Sequence, residues 1–165
     1  MLQRVNELIK KYELLTHPEG GYFKETYRSA LVIDLQDDSF NGTRNASTSI
    51  YYLLSAHQFS AFHRIKSDEV WHFYEGSPLL IYVIHPDATK EVIRLGSGDD
   101  GAVYQATVPA GSWFASRLES TDNYAFVGCT VAPGFDFRDF ELAQKQEMLN
   151  TFPEAAEWIN QLCKD

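Results

Sequence analysis

Residues 62–76 read F-H-R-I-K-S-D-E-V-W-H-F-Y-E-G, and most of the side chains suited to chemistry lie in or beside this stretch. Val70 to Glu75 is β-branched and aromatic and closes at Gly76, which predicts a strand ending in a turn. Residues 59–65 predict the strand before it, with Lys66, Ser67 and Asp68 as a tight connection. One hairpin would then carry His63, Glu69 and His72. Alternation along a strand puts His63 on a face with Ile65 and Glu69 on a face with Trp71 and Phe73. His72 falls on the opposite face with Val70 and Tyr74, unless a bulge shifts the register. A carboxylate between Trp71 and Phe73 is costly to bury without a partner, and His63 across the hairpin is a candidate for that partner.

Working outward, the chain reads as many short strands between helical ends. Leu2, Val5, Leu8, Ile9 and Tyr12 follow helical spacing, predicting a helix over 2–14 that breaks at H-P-E-G-G, residues 17–21. Strands are expected at 22–29, with a continuation over 30–35, then at 49–54, 79–85, 91–95, 102–108, 113–118 and 124–131. A polar loop is expected over 37–47. From Phe140 the pattern turns helical, and Thr151 with Glu154 and an intervening Pro153 reads as a capping box. Frequent strands with turn signals between them predict an all-β sandwich or barrel flanked by helices.

The 165 residues suffice for one domain with a substantial core. Aromatic residues make up 14%, which suits a β-rich interior or a ring-lined pocket. A net charge of −9 argues against nucleic acid or an anionic membrane surface as partner, while leaving room for a small anionic ligand held by a few local Arg or Lys. No apolar run approaches the ~20 residues of a membrane span and the N-terminal stretch lacks an apolar signal core, so a cytoplasmic protein is expected. Cys129 and Cys163 form no metal or redox spacing.

The order His63, one residue, Ile65, three residues, Glu69, six residues, Gly76 resembles the first motif of the cupin superfamily: His-x-His, three or four residues, Glu, six residues, Gly. Ile65 stands where that motif has its second histidine. The second cupin motif runs Gly, five residues, Pro-x-Gly, two residues, His, three residues, Asn. Here Pro109 and Gly111 match it, Phe114 takes the histidine position, Leu118 takes the asparagine position, and Gly101 lies two residues too far upstream. The runs H-P-E-G-G-Y-F (17–23), T-Y-R-S (26–29), D-E-V-W-H-F-Y-E-G (68–76) and P-G-F-D-F (133–137) together look like the cupin subfamily labelled DUF985 (cupin 5), over nearly the whole chain. That resemblance implies a single domain over 1–165 with an all-β, double-stranded β-helix (cupin jelly roll) and flanking N- and C-terminal helices. It also implies a homodimer with an extended sheet.

A cupin metal site resembles three histidines and one glutamate. This chain keeps His63 and Glu69 and puts apolar groups at the other two positions, so no metal and no other cofactor is expected. The alternative is a metal-dependent oxygenase or isomerase that draws His72 inward beside His63 and Glu69. The leading expectation is metal-free binding or acid–base chemistry, epimerase- or isomerase-like, on a small polar and sugar-like molecule in the barrel. Fold relatives include dTDP-sugar 3,5-epimerases, whose histidine at the first-motif position is similar to His63 and acts as general base. An imidazole suits that task because it titrates near working pH. Glu69 would carry a raised pKa and donate a proton or orient His63. Trp71, Phe73, Trp113 and Phe114 would form an aromatic wall, Lys24 or Arg28 would meet an anionic group, and Tyr22, Tyr82 or Tyr124 would supply a second proton donor. A third reading is a non-catalytic binding or structural module, in which His63 and Glu69 are a satisfied buried pair.

Overall fold

The structure is a computed structural model that describes residues 2–36, 40, 42–120 and 123–164. Helix α1 (Leu2–Tyr12) is followed by strands β1 (Leu15–Thr16), β2 (Tyr22–Arg28), β3 (Val32–Ile33), β4 (Arg44–Asn45), β5 (Thr48–Ser55), β6 (Phe59–Arg64) and β7 (Asp68–Gly76). Strands β8 (Leu79–Ile84), β9 (Lys90–Leu95), β10 (Gln105–Val108), β11 (Trp113–Leu118), β12 (Tyr124–Ala132) and β13 (Glu141–Leu142) come next, and α2 (Lys145–Thr151) and α3 (Ala156–Leu162) close the chain. A six-stranded sheet in the order β1-β2-β5-β12-β7-β10 faces a five-stranded sheet in the order β13-β6-β11-β8-β9, with antiparallel pairing throughout. This is the all-β architecture flanked by helices that the strand pattern predicts, in the jelly-roll form that the resemblance implies.

Alternation along the strands sorts the apolar residues into three layers. Tyr52, Trp71, Ile81, Phe114 and Val127 fill the space between the sheets. Phe62, Tyr82, Ile84 and Trp113 point the other way, onto Met148, Ile159 and Leu162 of the C-terminal helices. Val5 and Leu8 of α1 cover Leu53 and Phe126 on the back of the six-stranded sheet. Each fully buried aliphatic or aromatic side chain contributes roughly 1.5–3 kcal/mol, so both helical caps are held on mainly by apolar burial. Among the described residues no helix is long and apolar enough to cross a membrane.

Three local expectations are corrected. Strands β6 and β7 do not form a hairpin. β6 pairs with β11 and β13, and β7 pairs with β12 and β10, so the short link at 65–67 crosses from one sheet to the other. Spacing alone does not distinguish a tight hairpin from a tight crossover between facing sheets. The extension of β2 over 30–35 instead leaves the sheet and forms a two-stranded ribbon, Val32 opposite Asn45. Of the polar loop expected over 37–47, residues 37–39 and 41 lie outside the described residues. Thr151 does not cap a helix: it ends α2 and its hydroxyl donates back to the Glu147 carbonyl at 2.8 Å, because Pro153 stops that helix.

The H-P-E-G-G loop is wedged between the two sheets. The Ala61 N–H donates to the Glu19 carbonyl at 2.9 Å, and the Tyr52 hydroxyl donates to the Gly20 carbonyl at 2.7 Å. Gly20 has φ of +124°, and a Cβ there would lie 2.1 Å from the Phe59 carbonyl oxygen. Gly20→Ala is therefore expected to destabilise the fold by more than about 2 kcal/mol in urea unfolding. A variant within about 0.5 kcal/mol of the parent would contradict this placement of the loop.

Candidate functional site

The wedge carries Glu19 into the barrel. A cavity of about 320 Å³ opens at this end of the sandwich, and His17, Glu19, His63 and Glu69 stand on its wall. Glu19 is 6% exposed and His63 3%. His63 Nε2 lies 3.0 Å from Glu19 Oε2, and the Ser60 hydroxyl donates to Glu19 Oε1 at 2.9 Å. On the far side of the imidazole, Nδ1 lies 2.7 Å from the Ala61 carbonyl oxygen. A carbonyl only accepts, so Nδ1 carries a proton and donates. Nε2 then faces a carboxylate oxygen at hydrogen-bond distance, and that contact needs one further proton between the two groups. His63 and Glu19 are thus a buried pair that shares a proton.

A bulge makes this pair possible. The register of β6 against β11 shifts between Phe114 and Ser116, so Phe114 lies opposite His63 and Ser116 opposite Ser60. Ser60 and His63, three residues apart, both reach Glu19. The Phe114 ring packs 4.1 Å from the imidazole, centroid to centroid. His17 sits beside Glu19, its Nδ1 accepting the Glu19 backbone N–H at 3.3 Å, and burial lowers its pKa. It is therefore a neutral ring that packs edge-on against Phe23 at 4.6 Å.

Glu69 enters the cavity from the opposite sheet. Its register partners are Val108 and Val131, and it is 8% exposed. Burial, reinforced by the charge of Glu19, pushes its pKa from 4.5 up to about 8, against a smaller opposing effect of a hydrogen bond from the Cys129 thiol. At neutral pH it is an uncharged carboxylic acid with an O–H to donate. Burial likewise pushes the Cys129 thiol well above its ordinary value, which makes it a poor nucleophile.

The structure brings only part of the expected site together. His63 and Glu69 share the cavity, but Glu19, not Glu69, is the partner of His63. Arg28 reaches the cavity wall because β2 bulges between Glu25 and Tyr27, which returns Arg28 to the face of Phe23 and Glu25. Tyr22 and Lys24 face outward: Tyr22 packs in the cluster beneath α1, and Lys24 Nζ donates to Glu13 at 3.1 Å. Trp71 and Phe73 lie in the core between the sheets, away from the cavity wall. Trp113 is on the outer face under the C-terminal helices, with the Arg64 guanidinium 4.5 Å from its ring centroid. Phe114 backs His63 rather than lining the cavity. Tyr82 accepts from Arg117 Nε at 3.0 Å and Tyr124 donates to Glu75 at 2.9 Å, both away from the site. The aromatic wall exists, but it is made by Phe23, Phe135, Phe137 and Phe140. The sequence signals that were passed over are an acidic residue locked between Pro18 and a Gly-Gly pair, and the closely spaced phenylalanines from residue 135 to 140.

These residues do not fit a metal. His72 points to the back of the six-stranded sheet, where its Nε2 lies 3.0 Å from Thr130 Oγ1. Ile65 and Phe114 offer no donor, and both nitrogens of His63 are already committed. Among the described residues no group of three His, Cys, Asp or Glu side chains is arranged to hold a metal ion.

Comparison with known proteins places this geometry in a family. Residues 6–143 match the family described as Cupin superfamily (DUF985). The protein YML079W of Saccharomyces cerevisiae, described as uncharacterised, is 32% identical in an alignment 157 positions long that covers 88% of this chain and 78% of the yeast protein. A solved structure of a hypothetical protein from Leishmania major superposes with a TM-score of 0.88 at 34% identity, covering 97% of this chain and 98% of that one. Oxalate decarboxylase from Bacillus subtilis shares the fold alone, with a TM-score of 0.54 at 15% identity; 89% of this chain matches 36% of that one.

The protonated state of Glu69 has a thermodynamic signature. Below pH 4.5 both native and unfolded chains hold this proton, and the group costs nothing. Between 4.5 and about 8 only the native state binds it, so its contribution to stability falls as pH rises and is constant beyond. At about 1.4 kcal/mol for each pH unit over which one state alone is protonated, the full loss is roughly 3–5 kcal/mol. Glu69→Gln removes this titration at nearly constant volume. Chemical unfolding from pH 5 to 9 is expected to show the parent losing stability relative to the variant, and parallel profiles would contradict a protonated Glu69.

Proposed function

Because the chain belongs to the DUF985 family of the cupin superfamily, we propose that its barrel cavity performs acid–base chemistry on a small carbonyl compound. The reaction class is proton transfer next to the carbonyl, leading to isomerisation or epimerisation. One observation supports this above the others: a neutral carboxylic acid, Glu69, and a proton-sharing carboxylate–imidazole pair, Glu19–His63, stand on the wall of the same apolar-sided cavity. A buried carboxyl held neutral near a carboxylate paired with an imidazole puts a proton donor and a proton acceptor in one site.

The roles follow from what each group has to give. A substrate carbonyl oriented toward Glu69 receives its O–H as a hydrogen-bond donor. Glu19 is fixed by Ser60 and backed by His63, and its carboxylate takes the proton from the adjacent carbon. The C–H electron pair becomes the enol double bond, and the carbonyl oxygen gains negative charge that Glu69 stabilises or neutralises with its proton. Return of the Glu19 proton after the enol has turned its other face to that carboxyl inverts the carbon; return to the neighbouring carbon of an enediol, with the second hydroxyl proton passing to Glu69, moves the carbonyl. No electrons are gained or lost overall. Phe23, Phe135, Phe137 and Phe140 keep water away and so strengthen the hydrogen bond from Glu69. His17 accepts the Glu19 backbone N–H and so helps hold the loop that carries the carboxylate.

Acetophenone in D2O provides a test, because its methyl protons exchange only through the enol. The protein is expected to accelerate this exchange over buffer, with a rate that falls as pH rises through about 8 and Glu69 gives up its proton. Glu69→Leu and Glu19→Gln should each slow it by about a hundredfold. Exchange no faster than buffer, or a rate indifferent to both variants, would leave the cavity as a binding or structural feature.

A further inference from the structure

The wall of the cavity is charge-matched from within. Glu25 holds Arg28 in a two-point pair, with Arg28 Nε donating at 2.9 Å and Nη2 at 2.7 Å. Arg28 Nη1 donates to Asn45 Oδ1 at 2.9 Å, and Nη2 donates also to the Phe135 carbonyl at 3.1 Å. Asp136 is bound in the same two-point manner by Arg138, at 2.9 and 2.7 Å. Glu19 shares its proton with His63, and Glu69 faces the cavity beside the Cys129 thiol. Among the described residues no lysine stands on the wall. Lys24, next to the wall residue Phe23, reaches Glu13 on the other face. Every carboxylate with a charge has its cation, and Arg28 has each of its three nitrogens engaged.

We infer that this site takes an uncharged ligand, a neutral carbonyl compound with a ring or compact apolar body, and turns away carboxylates and phosphates. The inference rests on the proton-transfer reading for the carbonyl group but on the paired wall for the charge. An entering anion would find no available cation and would have to displace Glu25 from Arg28. An entering cation would find its carboxylates already matched. The apolar part of the ligand meets the phenylalanine rings, with Phe135 and Phe137 edge-to-face at 5.0 Å and Phe137 and Phe140 at 6.0 Å. Phe137 is 56% exposed at the mouth, where a ligand would cover it. A cavity of about 320 Å³ accommodates a single ring with substituents. The anionic partner expected for Lys24 or Arg28 is thereby replaced by a neutral one.

Three probes of one ring size separate the cases: acetophenone, benzoate and phenyltrimethylammonium, titrated at pH 7 and followed by protein NMR shifts. Acetophenone is expected to bind at least about tenfold more tightly than either ion. In Glu25→Gln, which frees Arg28 at the partly exposed mouth, benzoate should gain about tenfold relative to acetophenone. Benzoate or the ammonium ion binding as well as acetophenone to the parent protein would overturn the inference, as would an unaltered benzoate affinity relative to acetophenone in Glu25→Gln. Binding by none of the three to either protein would overturn it together with the proton-transfer reading. Selective acetophenone binding without proton exchange would remove only the latter.

Discussion

A glutamate inside the barrel, hydrogen-bonded by a serine and sharing a proton with a histidine, is the contact on which the site depends. Burying a carboxylate costs several kcal/mol unless it is paired and hydrogen-bonded, and Glu19 has both Ser60 and His63. Those partners come from one strand of the five-stranded sheet. The loop that carries Glu19 is anchored on Tyr52 of the six-stranded sheet. The pair therefore ties the loop to both sheets at the open end of the sandwich. It also acts at a distance: the charge of Glu19 adds to burial in keeping Glu69 protonated. The protonation of Glu69 is thus partly a consequence of the charge of Glu19.

The family fold supplies the frame, and the substitutions at Ile65 and Phe114 change what the frame can do. An apolar residue at each of these positions removes two donors, and Phe114 instead packs on the face of His63. Both imidazole nitrogens are occupied, by Ala61 and Glu19, so what remains of the usual ligand set is engaged in hydrogen bonds within the protein. The same logic accounts for Glu69. A carboxyl that would serve as an anionic ligand elsewhere is here surrounded by Cys129, valines and aromatic rings, and burial favours its neutral form.

Much of the fold was legible because it depends on local pattern. Strand alternation, turn residues and the amphipathic N-terminal segment located most elements to within a few residues. What failed was decided by tertiary pairing. The link at 65–67 reads as a hairpin and is a crossover between sheets. Arg28 and Lys24 share a face by simple alternation, and one bulge separates them. Trp71 and Trp113 looked like members of one aromatic wall, yet they belong to the inner core and the outer helical layer. Glu19 was read as part of a helix-breaking turn, since nothing in H-P-E-G-G states that its double glycine lets the loop approach Phe59 and Leu53 closely enough to enter the barrel. His63 and Glu69 were recognisable as candidates, but their relation to each other was not.

The protonation of Glu69 is the quantity on which the chemical account turns, and it can be read directly. Selective 13C labelling of glutamate side-chain carboxyls, with Glu69→Gln to assign the resonance, gives its titration by NMR in the native protein. The account predicts a carboxyl that is still protonated at pH 7 and titrates near 8. A carboxyl that titrates near 4.5, like a free glutamate, would contradict it and remove the acid from the proposed reaction.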